Sequence, residues 1–137
     1  MELTELDALR AYARVLNTLS TEALGALEPL LAEDFVYESQ SVLTPLRSKR
    51  EFLDYIVPKM ETIESTGAVV FAEMGQVRAY GGLQPCVVVA QGGKDDLVGV
   101  VVATVTGNKL SRLDLCVVPE PHTAIRSGQY PTSPRFQ

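Results

Sequence analysis

Apolar residues recur every three to four positions through most of the first 66 residues and in alternating or continuous runs after that. This change of period divides the chain into a helical part and a strand part. Leu6, Leu9, Ala13 and Leu16 form one helical stripe with Tyr12 beside it. Thr4 is the predicted N-cap, and Glu5 and Asp7 in the first turn suit the helix dipole. That helix is expected to end near Leu19. Ser20 can cap a second helix with Leu24, Leu27, Leu30 and Leu31 on its apolar face. Pro29 removes a backbone donor within that pattern and predicts a kink or a tightened turn.

Phe35 to Gln40 reads as a strand, and Ser41 to Leu46, with Pro45 inside it, as a loop or short return strand. Ser48-Lys-Arg-Glu51 fits a capping box, in which hydroxyl and carboxylate each satisfy an orphan amide. Phe52, Ile56, Met60 and Ile63 then mark a third helix, with a kink expected at Pro58 and a stop at Thr66-Gly67. Four strands follow: Ala68 to Tyr80, Pro85 to Gln91, Leu97 to Thr106 and Lys109 to Val118. Gly81-Gly82, Gly92-Gly93-Lys94-Asp95 and Gly107-Asn108 separate them as hairpin signals. Hairpins in sequence order make an antiparallel meander, and three amphipathic helices ahead of it can cover one face. The expected class is α+β: three N-terminal helices packed in the concave face of a curved, mainly antiparallel sheet. Residues 1–118 form one domain in this reading. Residues 119–137, with four prolines, form an extended tail, disordered or laid across the body or a partner subunit.

Composition narrows the function classes. Hydrophobic residues are 46% and charged residues 21%, ordinary for a soluble domain. The net charge of −5 and the scattered Lys and Arg argue against nucleic-acid binding. The N-terminal stretch has no apolar core of the kind a secretory signal carries. The run Leu97 to Val105 falls well short of the ~20 residues of a membrane span. Cys86 and Cys116 lie inside apolar strands and read as reduced thiols of a cytoplasmic protein. With His122 the lone histidine and no CxxC spacing, neither a metal nor a cofactor is expected.

The candidate site is the stretch from Leu30 to Tyr55. Strand alternation puts Tyr37 and Ser39 on one face and Val36, Glu38 and Gln40 on the other. Tyr37 and Ser39 are expected to face the space between helices and sheet, with Glu38 solvated or at a subunit contact. Arg112 and Asp114 share a face of the last strand. A cysteine nucleophile would need a nearby base, and the tail position of His122 offers none. No G-x-S-x-G, P-loop or dinucleotide fingerprint occurs.

The order helix, helix, strand, helix, meander resembles the nuclear transport factor 2-like superfamily over roughly residues 3–118. Its local marks are Tyr12-Ala-Arg-Val-Leu-Asn17, Leu31-Ala-Glu-Asp-Phe-Val-Tyr-Glu-Ser39 and Arg50-Glu-Phe52. The resemblance implies a cone-shaped pocket between helices and sheet, and a homodimer through the outer sheet face, which the valine-rich strands also suggest. In the ketosteroid isomerases of that superfamily a first-helix tyrosine donates to the substrate oxygen, and Tyr12 matches it. The family's catalytic aspartate falls at Ser39, its supporting tyrosine at Leu53, and its protonated carboxylic acid in Val100 to Ala103. A hydroxyl cannot replace an aspartate in abstracting a carbon-bound proton near neutral pH.

The first expectation is therefore a binding domain for a small hydrophobic or amphipathic molecule, with Tyr12, Tyr37, Ser39 and Cys116 as ligand-lining residues. The alternative is an isomerase, cyclase or dehydratase with Tyr12 as electrophilic donor and Asp114 as base. A third is a dimerisation or interaction domain. A carboxylate in the cone within reach of Tyr12 would favour the enzyme.

Overall fold

Thr4, Ser20 and Ser48 each accept a hydrogen bond from the amide three residues on, at 3.1, 3.0 and 3.0 Å. These caps start α1 (Glu5–Thr18), α2 (Thr21–Leu27) and α3 (Lys49–Thr66). The structure, a computed structural model, describes residues 2–42, 44–79 and 81–133. The Glu51 carboxylate reaches back to the amide of Arg47 at 3.0 Å, one residue before the capping hydroxyl. α3 is continuous through Pro58 and closes on Gly67, whose φ of +72° suits glycine. At Pro29 the chain tightens into a single 3-10 turn, Glu28–Leu30. Leu31 therefore belongs to the strand that follows, not to the face of the second helix, because the proline cannot continue the α-helical ladder.

That strand, β1 (Leu31–Ser39), runs parallel to β5 (Lys109–Cys116). With β2 (Val70–Ala79), β3 (Gly82–Gln91), β4 (Leu97–Thr106) and β6 (Ile125–Arg126), the sheet has the order β1-β5-β4-β3-β2-β6. Every pairing other than β1 with β5 is antiparallel. The class is α+β with a curved, mainly antiparallel sheet, as the sequence pattern predicts. Leu46 pairs with Tyr37 through two 2.9 Å backbone bonds and covers the free edge of β1.

The two faces of the sheet have separate apolar clusters. The inner one joins Leu9, Tyr12, Leu16, Phe35, Tyr37, Phe52 and Ile56 to Met74, Val87, Val89, Val101, Leu110 and Leu113. The outer one is Val77, Cys86, Val88, Val100, Val102 and Cys116, each at most 3% exposed. Alternation along β3 and β4 explains both, since consecutive valines face opposite ways.

The chain beyond β5 covers the outer cluster. Gln40 takes the amides of Val117 and Val118 on its side-chain oxygen, at 2.6 and 2.8 Å, and so directs the chain off β5. Residues 117–124 then pass from β5 to the far edge of the sheet, with Pro121 buried and Ala124 packed on the outer cluster. β6 pairs with the edge of β2. Beyond it Gln129 accepts from the Met74 amide at 2.9 Å, and Asn17 of α1 bonds both the amide and the carbonyl of Ala72 at 2.7 and 2.8 Å. The edge of β2 is thus occupied over Ala72 to Gln76, which removes an exposed pairing surface. The six residues of the outer cluster are thus buried within the single chain.

Candidate functional site

The cone between the helices and the inner sheet face opens beside the end of β1. A cavity of about 250 Å3 there is lined by Tyr37, Ser39, Ser41, Val42, Thr44, Leu46, Tyr55, Lys59 and Leu115. A smaller one of about 70 Å3 lies beside it, against Tyr12, Leu16, Ile63, Val70, Val89, Val98 and Val101. Tyr37, Lys59 and Leu115 line both, so the two cavities adjoin, the larger forming the mouth beside the end of β1.

Tyr12 reaches this space from the inner stripe of α1 and is 3% exposed. Tyr37 comes from β1, where its inward face is fixed by Phe35 below it and Ser39 above it, all three buried. The ring of Tyr37 contacts Phe52 at 5.6 Å and stacks on Tyr55 at 5.8 Å between centroids. Tyr12 and Tyr37 line the smaller cavity together, and Tyr37 and Tyr55 the larger one. Lys59 Nζ donates to the Tyr55 hydroxyl at 2.9 Å, one helical turn away. Ser39 Oγ accepts from the amide of Ser41 at 3.1 Å, which holds the turn after β1.

Burial sets the acidity of these groups. Loss of solvent pushes the Tyr37 phenol up to about 12, and the neighbouring Tyr55 adds to the shift. Burial also drives Tyr12 well above the usual tyrosine range, helped by the charge of Tyr37 and Tyr55. Both phenols are therefore protonated at neutral pH and act as hydrogen-bond donors, not as bases.

Of the residues singled out in the sequence, Tyr12, Tyr37 and Ser39 come to the cone. Cys116 and Asp114 do not. Leu113 and Leu115 on β5 face inward, so alternation turns Arg112, Asp114 and Cys116 outward. Asp114 accepts from Arg112 Nη2 at 2.9 Å, and Arg112 also bonds Glu38 across the β1–β5 pairing. Bonding to Asp114 first, and to Glu38, raises the Arg112 guanidinium further. This is a structural ion cluster on the opposite face from Tyr12. Asp114 is thereby removed as the base of the enzyme reading. Glu38, expected to be solvated, is partly held by the same arginine.

The sequence reading missed Tyr55 and Lys59. They flank the Phe52–Ile56–Ile63 stripe of α3 at a spacing of four, and they become lining because α3 packs against β1. Among the described residues no Asp, Glu or His lines either cavity. Among the described residues no group of three or more His, Cys, Asp or Glu is placed to hold a metal ion. No described helix is long and apolar enough to cross a membrane.

No protein-family model and no curated protein matches this chain. Solved structures do match in fold. A candidate polyketide cyclase from Sinorhizobium meliloti aligns at 17% identity over 80% of this chain and 94% of its own, with a TM-score of 0.54. A nuclear transport factor 2-like protein of unknown function from an Exiguobacterium species aligns at 12% identity over 91% of this chain and 99% of its own, TM-score 0.52. A candidate isomerase of the SnoaL-like family from Agrobacterium tumefaciens aligns at 14% identity over 82% and 97%, TM-score 0.52. At these identities the likeness is one of fold, and fold does not fix activity. The chain has the nuclear transport factor 2-like architecture.

Proposed function

We propose that this nuclear transport factor 2-like chain is a binding domain whose cone holds a small amphipathic molecule. The observation that carries the reading is the composition of the lining. Leu16, Ile63, Val70, Val89, Val98, Val101 and Leu115 supply apolar surface, and the polar groups among them are phenols, alcohols, one amide and one amine. An apolar concavity with a few convergent polar groups is the usual form of a small-molecule site. The mouth cavity of about 250 Å3 lies just under the roughly 300–1,000 Å3 of such sites, so the ligand is small.

A thermal-shift screen against small hydrophobic and amphipathic compounds tests this, since a ligand that binds only the native state raises the melting temperature. Leu115→Trp, which fills the space shared by the two cavities, should abolish any shift found. A screen with no shift in the wild-type protein would remove the proposal.

A second reading, isomerase or cyclase chemistry, draws on the names of two neighbours and on the phenols of Tyr12, Tyr37 and Tyr55. Buried donors of this kind can stabilise an oxyanion. The reading lacks a base among the described residues of the cone. Deuterium exchange into the α-position of a bound ketone, followed by NMR, is the outcome that would favour it.

A further inference from the structure

We infer that the molecule held by the cone is an organic anion, a small carboxylate with an apolar body whose charged end meets Lys59 and Tyr55 at the mouth. This rests on the binding reading above and adds the chemistry of the ligand.

Three observations lead there. First, Lys59 lines the mouth and, like Arg47, Arg78, Lys94 and Lys109, forms no ion pair among the described residues of a chain of net charge −5. Its hydrogen-bond partner is a neutral phenol, the Tyr55 hydroxyl at 2.9 Å. An ammonium has three donors, so two are left for a ligand. Second, the phenols of Tyr37 and Tyr55 line the same cavity as that ammonium, their rings stacked at 5.8 Å between centroids. The Tyr55 oxygen receives from Lys59, which leaves its own hydrogen for an acceptor in the mouth. Third, Ser39 Oγ accepts from the Ser41 amide and keeps its hydrogen free to donate into the same cavity. The mouth is rich in donors and, among the described residues, has no carboxylate of its own to satisfy them. A ligand carboxylate supplies two acceptor oxygens and the missing negative charge. The apolar side chains of the adjoining cavity take the rest of the molecule.

The test uses a matched pair of probes, β-naphthoate and β-naphthamide, of one shape and different charge, titrated into the full-length protein by calorimetry. Naphthoate should bind at least about tenfold more tightly than the amide, the factor that one charge-assisted hydrogen bond supplies. Lys59→Met, which keeps an apolar stem at this partly exposed helix position, should abolish that preference. Lys59→Arg should retain most of it. Equal affinity of the wild type for both probes, or a preference unchanged in Lys59→Met, would overturn the inference and leave the binding reading standing. Failure of both probes to bind would overturn the inference, and the binding reading would then rest on the thermal-shift screen.

Discussion

The buried carboxylate of Glu73 and the guanidinium of Arg126 meet at 2.7 Å, joining β2 to the strand that the C-terminal segment adds beside it. Glu73 is 4% exposed at its side chain and takes a second bond from the Gly128 amide at 2.7 Å. Arg126 spreads its other donors to Asp95 at 2.9 Å and the Lys94 carbonyl at 2.8 Å. Bonding to Glu73 first, then to Asp95, raises the basicity of Arg126 further. Arg126→Met leaves the buried carboxylate with the Gly128 amide alone. The expected cost is about 1.5–3 kcal/mol, the range for a hydrogen bond to a charged group. Arg126→Lys should recover little of it, because an ammonium cannot span three acceptors in a fork. Urea denaturation of both variants checks this, with the exposed Arg50→Met as control. A loss no larger than the control's would show that the pair holds nothing.

Gly75 makes the same junction possible in a different way. A β-carbon there would stand 2.7 Å from the Ile125 carbonyl oxygen and 3.2 Å from a methyl of Val88. Backbone cannot yield as a flexible side chain can, so Gly75→Ala must move β6 away from β2. We expect a loss of about 1–3 kcal/mol, as for other overpacked sites, and faster amide exchange at Arg126 to Gln129. Gly25 in α2 has nothing within 4 Å of its added β-carbon. Gly25→Ala should therefore stabilise by up to about 1 kcal/mol, from helix propensity alone. Opposite signs for the two substitutions in thermal melts are the outcome expected.

The contrast between these junctions and the helix caps explains what the sequence could reveal. Ser48 and Glu51 lie three residues apart, and Gly107 and Asn108 are adjacent, with φ of +58° and +66°. Such signals are local, and they placed all three helices and the last hairpin. Glu73 and Arg126 are separated by 53 positions, and residues 119–131 have no period from which a covering segment could be inferred. The candidate site divides in the same manner. Tyr37 and Ser39 follow from alternation on one strand. Tyr55 and Lys59 depend on where α3 packs, which no spacing along α3 specifies. Cys116 needed the register of β5: once Leu113 and Leu115 face the core, it must face out.

Alkaline pH separates Tyr37 from an exposed tyrosine. Its phenol titrates near 12 in the folded chain, against roughly 10 when unfolded. Below about pH 10 both states keep the proton, and this group makes stability independent of pH. As pH rises through the window from about 10 to 12, the unfolded chain ionises first, binds fewer protons than the folded one, and becomes relatively more stable. Folding stability should therefore fall across that window, and Tyr12, shifted in the same direction, adds to the fall. Ultraviolet phenolate absorbance should show Tyr37 and Tyr12 ionising late in the native protein and normally in urea. Tyr37→Phe should make the alkaline loss shallower. An unchanged alkaline slope in Tyr37→Phe would count against this assignment.

Cys86 reports on whether the C-terminal segment covers the outer face. The thiol is fully buried in the outer cluster, and burial, with a contribution from Glu73, pushes it up to about 12. Thiol reagents attack the thiolate, so the intact chain should label at Cys86 only as fast as it unfolds. A chain ending at Val118 loses Pro121, Ala124 and β6, and with them the cover over Val77, Val88, Val100 and Val102. Cys86 should then label within minutes under native conditions. The uncovered valines should also drive self-association through that face, visible as a rise in mass by light scattering at micromolar concentration. The full-length chain should not associate through it, because the same apolar area is already out of water. Labelling at one rate in both chains, with no change in mass, would mean that the segment does not protect the sheet. Fast labelling without association would mean that cover is lost but the bare face is too small an apolar patch to hold two copies together.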